Sequence, residues 1–194
     1  MVVLRWVMIS LVLIFSAPAH ADFAAGQAAY DRGDFNAAYN EWLPLAEAGD
    51  AEAQFRVGRL YDVGEGRSRN GPMAVEWYEK SFKQKNLKAG HNLGYLYDVG
   101  KIIPRNYGKA FEYYLYGAYQ NDPDSQRNLG LMYFGGHGMT HNFIEGYKWL
   151  FISKASGGDA TEEQIDEFLK YTRLRDKIIG QKKAREWLIN HSRE

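Results

Sequence analysis

Every 36 residues this chain returns to the same pattern. Gly58, Gly94 and Gly130 share one register, and Tyr61, Tyr97 and Tyr133 share another. Gly64, Gly100 and Gly136 keep the same step, as do Asn70, Asn106 and Asn142. So do Ala74, Ala110 and Gly146, and Trp77, Tyr113 and Trp149. One copy of a unit this size cannot bury its apolar face alone, so the copies must stack, each covering its neighbours. Arrays of this kind present long surfaces and mostly bind things.

Each copy reads as two helices. Ala53, Val57 and Leu60, with Gln54, Gly58 and Tyr61 beside them, form one arc at about 100° per residue, which predicts an amphipathic helix over 51–63. Gly58 in its middle costs about 1 kcal/mol against Ala. Its recurrence as Gly94 and Gly130 predicts that another helix approaches closely there. Gly64-Glu65-Gly66 supplies a tight turn. Asn70 is a candidate N-cap for a second helix over 71–85, with Pro72 tolerated in its first turn. Ala74, Trp77 and Tyr78 form its buried stripe.

The units are expected at 51–86, 87–121 and 122–159. A divergent leading pair is expected at 22–50, with helices over 26–30 and 37–48 around Arg32-Gly33-Asp34. A C-terminal cap is expected at 161–194. There Thr161 and Gln164 form a capping box ahead of Ile165, Phe168 and Leu169. Gly180 is read as an interruption, with Ala184, Trp187 and Leu188 in a last short helix. No segment alternates like a strand, so the expected fold class is all-α: a right-handed α-solenoid of antiparallel helix pairs with a C-terminal helical cap.

The first 21 residues read as a secretory signal. Arg5 precedes an apolar run from Trp6 to Phe15, and Ala19-His20-Ala21 offers small residues for cleavage after Ala21. The alternative is an uncleaved anchor, but the run to Pro18 is short for a span of about 20 residues. Cleavage would leave a protein that is not membrane-embedded. The chain has no cysteine, so neither lipid attachment nor a disulfide is available, and packing alone must hold the array. Lys and Arg total 24 against 24 Asp and Glu, and this neutrality argues against nucleic-acid binding through bulk charge.

The motif Ala51-Glu52-Ala53-Gln54, Val57-Gly58, Leu60-Tyr61, Gly64-Glu65-Gly66, Asn70, Ala74 and Trp77-Tyr78 closely resembles the Sel-1-like repeat family, a relative of the tetratricopeptide repeat. Pro44 to Asp50 matches the end of a preceding unit. The third unit carries Gln126, Leu129-Gly130, Tyr133, Gly136, Gly138, Asn142 and Lys148-Trp149-Leu150. The resemblance covers residues 23–160. It implies a protein-binding solenoid whose first helices line the concave surface, and, with the leader, a periplasmic or secreted bacterial protein. The second unit departs from the pattern: Gly100-Lys101-Ile102-Ile103-Pro104 lacks the second loop glycine, which suggests a loop shaped for a contact. The chain also lacks the paired cysteines of the secreted branch, some of whose members are described as penicillin-binding or β-lactam-hydrolysing.

Opposite the buried arc, the first helices leave Glu52, Phe55, Arg56, Arg59, Asp62 and Val63, then Lys88, His91, Asn92, Tyr95, Asp98 and Val99. The third unit leaves Asp124, Arg127, Asn128, Leu131, Phe134 and Gly135. Phe55, Arg56, Arg59, His91, Asn92, Tyr95, Arg127 and Asn128 are therefore the candidate partner-binding residues. Amides pair with a peptide backbone, arginines fork onto carboxylates, and the rings supply apolar contact. In tetratricopeptide relatives the matching asparagine faces the peptide, which the resemblance implies for Asn92 and Asn128. The alternative is an ordinary solvated face.

Tyr113, Tyr114, Tyr116 and Tyr119 are expected mainly in the core, with Tyr116 and Tyr119 the most exposed. His137 and His141 lie in a turn without a third ligand, so no metal and no cofactor is expected. Glu76 and Glu112 are repeat copies rather than an acid–base pair. No phosphate loop or nucleophile motif is present. The expected function is a protein–protein interaction module: an adaptor, assembly factor or regulator, or a structural piece of an envelope complex. The alternative is a peptidoglycan- or β-lactam-binding or hydrolysing envelope protein.

Overall fold

The computed structural model describes residues 22–191, so the expected signal segment lies outside the described residues. Eight helices follow in four antiparallel pairs: α1 (Phe23–Asp31) with α2 (Phe35–Glu47), α3 (Ala51–Val63) with α4 (Gly71–Lys83), α5 (Leu87–Val99) with α6 (Tyr107–Tyr119), and α7 (Pro123–Gly135) with α8 (Phe143–Ala155). A short α9 (Glu162–Glu167), a 3-10 turn (Phe168–Lys170) and a long α10 (Leu174–His191) complete the chain. There is no strand among the described residues. The pairs stack as an α-solenoid, as the periodicity requires.

Much of the 36-residue period is helix punctuation. The side chains of Asn70, Asn106 and Asn142 each accept the third backbone N–H of the helix that follows. Asp50, Asn86 and Asp122 do the same for the first helix of each unit. Gly64, Gly100 and Gly136 end those first helices at φ of 87°, 67° and 64°, a left-handed conformation that glycine adopts without steric cost. The recurring tyrosines tie each loop shut: the carbonyls of Tyr61, Tyr97 and Tyr133 accept from Asn70, Asn106 and Asn142 at 2.9, 2.8 and 3.1 Å.

The mid-helix glycines mark close approach, as expected. A Cβ on Gly58 would stand 2.7 Å from the Tyr78 ring, and one on Gly94 would stand 2.6 Å from Tyr114. At Gly130 the obstacles are the Gly146 carbonyl and Leu150, both at 3.0 Å.

The loop without its second glycine makes its contact inside the chain. Ile103 is buried, and the Ile102 carbonyl lies where a Cβ on Gly71 would approach to 2.2 Å. The second unit's loop thus locks onto the start of α4. Tyr114 is fully buried while Tyr116 and Tyr119 are exposed, as the helical spacing suggested.

The reading of Gly180 as an interruption is corrected. Helix α10 runs through it without a break. Gly180 is buried because α10 crosses α8 there: a Cβ would meet the Tyr147 Cβ at 2.5 Å and the Ile144 carbonyl at 2.8 Å. It serves contact between helices, like Gly58 and Gly94, and does not end a helix. The leading pair is likewise longer than its apolar spacing suggested, since Asp22 and Asp34 cap its helices at the N-termini.

Candidate functional site

Helices α3, α5 and α7 stand side by side, and their outward side chains bound a cleft of about 340 Å³. Phe55 and Arg59 of α3, Lys88, His91 and Asn92 of α5, and Asp122 and Asp124 at the start of α7 line it. Six of the eight candidate residues stand on α3 and α5. The remaining two, Arg127 and Asn128, stand on α7.

Their surroundings differ from those of a uniformly solvated face. Phe55 is only 6% exposed, its ring 5.8 Å from that of Tyr78. The arc expected to be free turns inward here because the Tyr78 ring extends across α3 where Gly58 offers no side chain. Arg56 is paired with Glu52 at 3.0 Å, and its guanidinium lies over the Trp42 ring. Asn92 Nδ2 donates to the Tyr78 hydroxyl at 3.0 Å, and that hydroxyl donates to Asp62 Oδ2 at 3.2 Å. Burial, the dominant influence, pushes the Asp62 carboxyl above its usual range, although Tyr78 and Arg69 pull it back. Asn128 Nδ2 faces His91 Nε2 at 3.0 Å.

Arg59 and Lys88 are different. The Arg59 guanidinium lies 5.4 Å from the Tyr30 ring centroid, and Lys88 points outward. Neither makes an ion pair among the described residues. Tyr95, one turn beyond His91, is 48% exposed. Lys88 and Tyr95 are presented to the outside, and half-buried Arg59 carries its charge without an opposite charge paired to it.

The third unit's share of this face is closed by the chain itself. At the repeat positions of Asp62 and Asp98 stands Phe134, and at those of Tyr78 and Tyr114 stands Leu150. Phe134 is buried, so its expected place on the free arc is corrected. The cause is Phe168 of the 3-10 turn, stacked on it at a ring separation of 4.0 Å. Ile165 of α9 is fully buried. A small cavity of about 160 Å³ remains between Arg127, Leu131 and Leu150 on one side and Ile165 and Phe168 on the other. Arg127 is engaged as well, with its Nε 3.2 Å from Asp159. Lys154 and Lys177 pair with Glu162, Lys177 also with Asp166, and Lys183 with Glu145 at 2.8 Å. The open part of the groove therefore belongs to α3 and α5.

The sequence reading missed this closure, although its signal was present: one polar pair in three copies had become apolar. Lys88 stood on the outward arc but outside the candidate partner-binding residues. His137 stacks on Tyr107 with centroids 4.5 Å apart, and His141 Nδ1 lies 2.7 Å from the Phe134 carbonyl. Among the described residues no group of three His, Asp or Glu side chains is placed to hold a metal ion.

A model of the Sel1 repeat matches residues 51–86, 88–122 and 123–157. Among solved structures, a Sel1 repeat protein from Oxalobacter formigenes is 27% identical, with a TM-score of 0.69 over 77% of this chain and 62% of that one. A protective antigen of uropathogenic Escherichia coli strains, displaying an SLR fold, is 24% identical over 85% of this chain and 37% of its own, also with a TM-score of 0.69. This chain thus spans less than two thirds of either protein, and the second likeness concerns fold alone. A search of the curated proteins finds no match.

Proposed function

The chain belongs to the Sel1 repeat family, and from that premise we propose that it is an interaction module of the bacterial envelope, periplasmic or secreted, that holds a protein or peptide partner along α3 and α5. Repeats of this family mediate protein–protein interactions. The envelope address is supported by the leader-like pattern of the first 21 residues and by bacterial structural relatives. No helix among the described residues is long and apolar enough to cross a membrane. The site assignment is supported by one observation: Arg59 and Lys88 border the same open cleft with no ion pair to hold either charge, and Tyr95 stands exposed one turn beyond His91 on α5.

Arg59 and Lys88 also suit a clean test, because replacing them breaks no ion pair within the fold. The double variant Arg59→Glu, Lys88→Glu should stay folded: Lys88 is exposed, where substitutions usually shift stability by less than about 0.5 kcal/mol, and half-buried Arg59 gives up only its contact with the Tyr30 ring, worth about 0.5–1 kcal/mol. Capture of the partner from native envelope extract should weaken by about 2 kcal/mol or more, the usual cost of removing an interface anchor. The control is Lys83→Glu with Glu112→Lys, on the exposed surface of α4 and α6. Loss of capture in the control alone would place the working surface on the other helices.

A further inference from the structure

The last element of a helical array needs a polar outer face, because no further unit covers it. Helix α10 does not have one. It packs on α8 through Gly180, Ala184 and Trp187. On its opposite side Leu174, Arg175, Ile178, Lys182 and Arg185 share one arc at about 100° per residue, and all five are exposed. Leu174 and Ile178 are 60% and 57% exposed, and Tyr171, just ahead of the helix, is 78% exposed. Large apolar side chains grouped in water mark a surface that meets something.

The charge at this end is one-sided. The chain as a whole is neutral, but residues 168–191 hold seven Lys and Arg against two Asp and Glu. Lys177 and Lys183 are engaged inside the fold, by Glu162 and Asp166 and by Glu145. Lys182 meets only Glu186 of its own helix, at 3.9 Å. Arg173, Arg175 and Arg185 are exposed and make no ion pair among the described residues. The other end of the array has the opposite sign. Residues 22–50 hold six Asp and Glu against Arg32 alone. Asp22, Asp34 and Asp50 cap helices, and Glu41 accepts from the Asp22 N–H. Asp31 and Glu47 are exposed, and none of the six has a cation paired to it among the described residues. Between these carboxylates the outward side of α1 is Ala24, Ala25 and Ala28, small enough to let another helix approach.

We infer that the open side of α10 is covered by the leading helix pair of a second copy of this chain, so that copies join head to tail. Arg175 and Arg185 then face Asp31 and Glu47, and Leu174 and Ile178 lie on the alanines of α1. The spans agree. At about 1.5 Å per residue the two arginines stand about 15 Å apart along α10, and the two carboxylates lie at opposite ends of a helix pair about 20 Å long. Two α10 helices facing one another would set cation against cation, so the contact is not symmetric. A contact between two different surfaces leaves one of each open, so association does not stop at two copies. It is separate from the α3 and α5 face and uses neither Arg59 nor Lys88.

The test is sedimentation of the intact protein over a range of concentrations. Its average mass should climb past that of a dimer as concentration rises. It should climb less in high salt, where the screening length shrinks from about 10 Å at 0.1 M to about 3 Å at 1 M. Arg175→Glu with Arg185→Glu alters the tail only, and Asp31→Lys with Glu47→Lys alters the head only. None of the four caps a helix or lies in an ion pair. Asp31 and Glu47 close their helices and Arg175 stands in the first turn of α10, so three of the four changes also suit the helix dipole. Both variants should therefore keep the parent's circular dichroism. Each alone should need a concentration about ten-fold higher or more to associate, because like charges then meet. An equimolar mixture should associate again near the parent's concentration, because the first variant keeps its head and the second keeps its tail. A parent that stays monomeric at every concentration overturns the proposal, and so does a mixture no better than its components. Binding of the parent to vesicles of equal parts phosphatidylglycerol and phosphatidylethanolamine, without self-association, would give the α10 face to a lipid surface and overturn it too.

Discussion

Gly180→Leu is expected to strip α10 from the solenoid. Two of the atoms a side chain would meet are backbone: the Ile144 carbonyl at 2.8 Å and the Lys148 nitrogen at 3.0 Å. Neither can rotate away, and the third obstacle, Tyr147 Cβ at 2.5 Å, is anchored to the same helix. Overpacking typically costs about 1–3 kcal/mol, occasionally more, and an immovable wall puts this case at the upper end. The loss would spread, because α10 carries Trp187, whose ring lies 5.6 Å from that of Trp149, and Lys183, which pairs with Glu145. Tryptophan emission should shift to the red as Trp187 becomes hydrated, and limited proteolysis should cut between α9 and α10. Unchanged emission and protease resistance would show that α10 does not need this contact.

Gly94→Leu is expected to be nearly as damaging, for a different reason. The Tyr114 ring that a Cβ would meet at 2.6 Å is fully buried and has nowhere to swing. Helix α5 would have to part from α6, opening the core that holds Leu93 and Leu96. The melting temperature should fall by several degrees, consistent with a loss of about 2–3 kcal/mol. Gly108→Ala is the control: its nearest obstacle is the Asn106 side chain at 3.4 Å, and it lies on an exposed turn of α6. That change should be neutral or slightly stabilising, since Ala is the better helix former. If Gly94→Leu and Gly108→Ala melt together, close helix packing is not why glycine recurs at that step.

The helix pairs could be read from the sequence because their causes are local. Asn70 and Gly64 bracket a turn whatever lies around them, and Gly58 repeats because each first helix packs closely on the second helix of its own unit. The cap was harder to read. Gly180 resembles a break when only its own helix is considered, and becomes a contact once α8 lies across it. The outward face of the first helices was legible in outline, since the arc assignment brought Arg59, His91, Asn92 and Tyr95 onto α3 and α5. Its limits were not. Phe55 is turned inward by a ring from α4, and Phe134 is covered by Phe168, which lies 34 residues further along the chain. A periodic reading treats the three units alike, whereas the cap touches only the last.

Tyr95 and Leu131 occupy the same repeat position, one on the open face and the other beneath the cap. A photo-crosslinking residue placed at each, in turn, in cells that make the protein tests the central claim most directly. Position 95 should become joined to the partner, whereas position 131 should react only within its own chain. A partner crosslinked at 131 and absent at 95 would contradict the account, because binding would then run through the surface assigned here to the cap.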